Sequence, residues 1–115
     1  MSARRSGFTI VEIMIVVAII GLVMAVVLPN YVVNKAKANR TVCISNLRMI
    51  RDYLNLLVIQ EVKTQGAAVT MGELVPTYLK KTPWCPDDNS HRGYTLTTTS
   101  ADPVCPADPA HHTLP

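Results

Sequence analysis

Charge is missing where the chain is most apolar: from Phe8 to Leu28 the only ionised side chain is Glu12. A segment with no polar side cannot lie as a surface helix with one buried stripe. No small-x-small cleavage site follows the run cleanly, and the run is too long for a signal-peptide core, which argues against ordinary secretory processing. No nucleophile is accompanied by a recognisable base, so no enzyme is expected. The adjacent pair His111–His112 cannot form a tetrahedral zinc site alone, and histidines so close to a terminus are expected to be exposed. Neither a metal nor a cofactor is expected. The cysteines, Cys43, Cys85 and Cys105, are odd in number, so they cannot all pair within one chain.

What is present is uneven. The chain has 115 residues, one domain at most, and 49% of them are hydrophobic. Arg4 and Arg5 precede the apolar run. The stretch 31–63 carries Lys35, Lys37, Arg40, Arg48, Arg51 and Lys63 against only Asp52 and Glu61, and residues 64–115 are mildly acidic. Such a distribution can serve charge complementarity between stacked copies, or simply solvate a helix face. The run Phe8–Leu28 is long enough to cross a bilayer as a helix at about 1.5 Å per residue. As an anchor it would keep Arg4 and Arg5 on the cytoplasmic side. Glu12 does not fit a plain anchor, because an ionised group in hydrocarbon costs about 2.5–3.5 kcal/mol on insertion scales.

The stretch GFTIVEIMIVVAIIGLVMAVVLPNY, residues 7–31, resembles the N-terminal segment of type IV pilins and the related type II secretion pseudopilins. The shared features are a short basic leader ending in Gly7, then Phe8, then Glu12 four residues on, with Gly21 and Pro29 in register along an apolar run. The resemblance implies cleavage between Gly7 and Phe8 by a membrane prepilin peptidase, then methylation of the new amino group. The apolar helix thus stays in the mature protein.

Cleavage would give Glu12 a partner. The Phe8 α-amine becomes a cation, ordinarily with a pKa near about 8. In apolar surroundings the two charges attract strongly, while desolvation offsets much of the gain, so the pair supplies direction more than stability. The resemblance assigns this contact between subunits. An intrachain pair is the alternative, since Phe8 and Glu12 are four apart on one helix face. Gly21 and Pro29 bracket a valine-rich stretch, and Pro29 removes one helical hydrogen bond and kinks or opens the helix. In related filaments this bracket is where the helix can melt; a simple kink is the other reading.

Past Pro29 the pattern becomes one-sided. Ala36, Cys43, Ile50 and Leu57 recur every seven residues, with Leu47 and Leu54 on the alternate seam, as in a helix laid on a small domain. A helix over 8–62 would be roughly 80 Å long, more than the residues that follow can cover. Its first half is therefore expected to be buried in lipid or among sister helices. Thr70 and Glu73 form a capping-box pattern opening a short helix over Met71–Leu79, with Pro76 straining it. GYTLTTT alternates Tyr94, Leu96 and Thr98 as a strand does, and a second strand is expected near Val104–Cys105 or Ala110–Leu114. Cys85 and Cys105 flank the predicted strand and are expected to form a disulfide, worth about 3 kcal/mol on the chain-entropy model. Cys43 is then a small buried hydrophobe, or bonds to Cys85 instead. CPDDNS with Asp102 and Asp108 could offer oxygens to calcium. The head lacks the glycine-rich C-terminal pattern of calcium-binding pseudopilins, and turn chemistry is preferred.

The expected architecture is α+β and pilin-like: a long N-terminal helix and a small head with a short helix and an antiparallel sheet. Its parts are a leader (1–7), a transmembrane or filament-core helix (8–30), an amphipathic continuation (31–62) and a globular head (63–115). The expected role is a structural filament subunit, extracellular or periplasmic, held in the bacterial inner membrane before assembly. Its partners would be copies of itself, the prepilin peptidase and an inner-membrane assembly platform, with no direct nucleic-acid binding. A type II secretion pseudopilin and a membrane-anchored binding module that never polymerises are the competing readings.

Overall fold

The computed structural model describes residues 6–115, so Arg4, Arg5 and most of the expected leader lie outside the described residues. The chain divides into two compact units, Met1–Lys35 and Ala36–Pro115. Helix α1 is Ile10–Ile59 and helix α2 is Met71–Leu74. In the first unit no described residue is buried, and the large apolar side chains from Phe8 to Val33 range from 48% exposed at Met24 to 82% at Phe8. Burying such side chains is worth about 1.5–3 kcal/mol each, so a surface this apolar calls for another medium or another molecule.

In the second unit α1 presents Cys43, Leu47, Ile50, Leu54 and Leu57 to the core, all 3% exposed or less. The alternating steps of four and three residues are the seam read from the sequence; Ala36, placed on the same seam, is exposed. Val69, Leu74, Leu79 and Tyr94 cover this stripe. α1 ends in a Schellman cap, with the Val62 amide donating to the Leu57 carbonyl and the Glu61 amide to that of Val58, each at 3.1 Å. Glu61 takes the left-handed position with φ 57°.

α2 is shorter than Met71–Leu79. The Glu73 carboxylate turns back to accept the Thr70 amide at 2.8 Å, as a capping box requires. Pro76 ends the helix: the residue before a proline is driven to extended backbone, and Val75 sits at φ −106°, ψ 131°. The expected sheet is not formed among the described residues. Three isolated antiparallel bridges stand in its place, Ala68 with Thr98, Trp84 with Gly93, and Thr95 with Val104. Thr95 and Val104 exchange both backbone hydrogen bonds at 3.0 Å. Extending that pairing toward Gly93 would require an amide from Pro106, which has none. The alternation in GYTLTTT survives, with Tyr94 buried, Leu96 half-buried and Thr95 and Thr97 exposed.

Side chains supply ties that a ladder would have given. Arg51 donates to the Ser100 carbonyl at 3.0 Å and pairs with Asp102 at 3.2 Å. The Thr99 hydroxyl accepts the Gly66 amide and donates to the Thr64 carbonyl. Asp88, buried, accepts the amides of Ser90 and Arg92 and the Arg92 guanidinium. Burial alone would raise its carboxyl, but these donors outweigh it and hold it below the ordinary range.

Candidate functional site

The residues expected at the processing and assembly site lie at the start of α1. Gly7, Phe8 and Thr9 precede the helix in non-helical backbone, and all are exposed. These residues lie outside the helix and are open to solvent, so the backbone there is reachable. Ser6, Gly7, Phe8 and Glu12 line a shallow open groove. Glu12 is exposed on the first turn. Its amide donates to the Thr9 hydroxyl at 3.2 Å, and its carboxylate reaches back to the Thr9 amide at 3.5 Å. This is a capping box, the reciprocal Thr-x-x-Glu arrangement that satisfies free amides at a helix start. The signal was present in the sequence, since Thr9 and Glu12 have the same spacing as Thr70 and Glu73. In the uncleaved chain, then, the carboxylate has an intrachain occupation, beside the backbone that cleavage would turn into an amine. It also sits at the positive end of the α1 dipole.

Gly21 and Pro29 are both inside α1. Pro29 has no amide to donate to Ala25, so the helix is one bond short there. Apart from its chain neighbours and the backbone of its own helix, no atom of the described residues lies within 4 Å of the position a Gly21 side chain would take. Nothing in this chain therefore requires a glycine at that position.

A second constellation lies in the other unit. Cys43, Cys85, Cys105 and His112 are all buried, with the three sulfurs and a ring nitrogen of His112 within 4.8 Å of one another. The three cysteines are free thiols, and the Cys85–Cys105 and Cys43–Cys85 bonds considered from the sequence are not formed here. His112 Nδ1 is 3.5 Å from Cys85 Sγ and 3.6 Å from Cys105 Sγ. Cys43 Sγ accepts the Tyr94 hydroxyl at 3.4 Å. Burial pushes the thiols of Cys43 and Cys85 up, and the Tyr94 hydroxyl with them. His111, by contrast, is exposed and pairs with Asp108 at 2.9 Å. The burial of His112 differs from the sequence expectation. No local spacing announced it, because two of its neighbours, Cys43 and Cys85, come from distant parts of the chain and only Cys105 lies nearby.

Comparison with known proteins bears on the first of these two sites. The prokaryotic N-terminal methylation motif matches residues 2–28. The type II secretion system core protein G of Dickeya chrysanthemi is 31% identical over 65% of this chain and 49% of its own length. The type IV major pilin protein of Myxococcus xanthus is 40% identical over 41% of this chain and 21% of its own length. The type IV wide pilus major component of Thermus thermophilus is 27% identical over 89% of this chain and 71% of its own length. The chain spans about half the length, or less, of the type II secretion relatives it matches. No solved structure matches it. The matched motif covers Gly7, Phe8, Glu12 and Gly21 together with most of the unburied apolar helix, and over that segment the chain is similar to type IV pilins and type II secretion pseudopilins.

Proposed function

We propose that this chain is a structural subunit of a type IV pilus-like filament, held in the inner membrane by its apolar helix until it assembles. The observation that carries this reading is the uncovered apolar surface of α1 directly after an exposed Gly7–Phe8 bond. A helix with no buried residue over its first two dozen positions stays soluble only in lipid or among sister helices. Prepilin peptidase would cut before Phe8, the new amine would be methylated, and an inner-membrane assembly platform would draw the subunit into the fibre. A pseudopilin role in a type II secretion fibre uses the same steps and is favoured by the secretion-system relatives.

Glu12 is the assembly residue in this reading. Its carboxylate leaves the Thr9 cap and docks on the Phe8 amine of a neighbouring subunit, where a slipped register would strand both charges. Glu12→Gln separates this from a capping role, because glutamine also closes a capping box but carries no charge. The variant is expected to insert and be processed normally yet fail to form filaments that pellet. Normal filaments from Glu12→Gln would refute charge docking. The intact mass and N-terminal sequence of native protein test the processing step: the chain is expected to begin at N-methylated Phe8, and one retaining Met1 would count against a filament role.

A further inference from the structure

The second constellation has the composition and shape of a metal centre. We propose that Cys43, Cys85, Cys105 and His112, through Nδ1, bind one zinc ion as a structural Cys3His site that staples the head. Structural zinc sites are tetrahedral and closed, with three thiolates and one imidazole among the common donor sets. Metal–sulfur bonds of about 2.3 Å and metal–nitrogen bonds of about 2.0–2.1 Å at tetrahedral angles put each sulfur about 3.6 Å from the nitrogen. The distances here are 3.5 Å for Cys85 and 3.6 Å for Cys105. All four donor atoms fall within 4.8 Å, and all four residues are at most 5% exposed.

The surroundings are those of a metal ligand rather than of a disulfide. His112 Nε2 faces the Asp87 carboxylate at 3.6 Å, and Asp87 is itself held by the Asn39 amide at 2.6 Å. With a carboxylate on the Nε2 side, the tautomer that carries its proton on Nε2 leaves the Nδ1 lone pair directed at the sulfurs. One lone pair cannot serve two thiols equally, whereas an ion between them uses one lone pair from each donor. Three thiolates and a zinc ion carry a net negative charge, and one donor stands ready for it: the Tyr94 hydroxyl donates to Cys43 Sγ. A disulfide would consume two sulfurs and leave the third, with His112, unused in the core.

The site also answers a structural need. It would join α1 through Cys43, the loop after α2 through Cys85, and the C-terminal stretch through Cys105 and His112. Small domains without a sufficient core rely on such staples, and this head has isolated bridges where a sheet was expected. Binding releases the thiol protons to solvent and needs no redox partner. The proposal is independent of the filament role.

The test is metal content and spectroscopy of the full chain, purified in detergent without chelator. One zinc per chain is expected, and cobalt(II) in its place should give the visible bands of a tetrahedral ion with a thiolate charge-transfer band. Chelation should lower the melting temperature of the head. Titrated with zinc alone, His112→Ala should lose stoichiometric binding, His112→Cys should retain it, and His111→Ala should match the parent. Asp87→Asn, an orienting change outside the donor set, should weaken binding about 10- to 100-fold. The native chain's own metal content decides the matter even where a variant fails to fold. Native protein that carries a disulfide between two of these cysteines, shown by resistance to alkylation when unfolded without reductant, overturns the proposal. So does a reduced chain that takes up no zinc, or an unchanged affinity in His112→Ala.

Discussion

Leucines in the two halves of α1 should respond to the same truncation in opposite ways. Leu47 is fully buried, and Leu22 is 74% exposed. Leu47→Ala removes a side chain from a core that includes Ile50, Leu54 and Leu74, and such truncations cost about 2–5 kcal/mol depending on how far the site collapses. Taking about 3 kcal/mol, and about 4–8 °C per kcal/mol for a unit of this size, the head should melt some 12–24 °C lower. Leu22→Ala removes nothing that this chain packs against, so the head's stability should hold within about 0.5 kcal/mol of the parent. Its effect belongs to assembly, where close packing between sister helices is the driving force, and the yield of pelleted filaments should fall. The assay is near-ultraviolet circular dichroism against temperature in detergent, with filament yield measured in parallel. Equal loss of head stability from both substitutions would refute the view that the first part of α1 is covered only from outside the chain.

Glu61 occupies the left-handed position of the α1 cap at φ 57°, which costs a residue with a Cβ roughly 1 kcal/mol; Glu61→Gly should raise head stability by up to about that amount in urea unfolding. Gly21→Ala meets open space in this chain and improves helix propensity by about 1 kcal/mol, so it should leave processing intact; reduced filament formation would place a neighbouring helix against Gly21. Asp88 has its carboxyl lowered in the folded state, so its stabilising contribution is full above the unfolded value of about 3.9 and is lost as pH falls through the folded one. An acid titration of the parent should show head stability declining below about pH 4, and Asp88→Asn should flatten that decline while lowering stability at neutral pH.

The division between what was legible in the sequence and what was not follows the range of the interactions. The Phe8–Leu28 run, its single carboxylate and the Gly7–Phe8 pair are contiguous, and helix-forming apolar residues without a polar side have few ways to be satisfied. The seam of Cys43, Leu47, Ile50, Leu54 and Leu57 follows from helical periodicity alone. The Thr70–Glu73 and Thr9–Glu12 caps share one three-residue spacing, and both are local enough to be visible in the sequence. Among the described residues the head has isolated bridges where the alternation implies strands. Alternation in GYTLTTT reports which side chains face inward, whereas a ladder also needs a partner with free amides, and Pro106 withholds one. Only the tertiary structure decided that His112 is buried and His111 is not. Only it brought His112 to three sulfurs separated from one another by twenty residues or more, because convergence of that kind depends on how loops close over α1 and leaves no periodic trace along the chain.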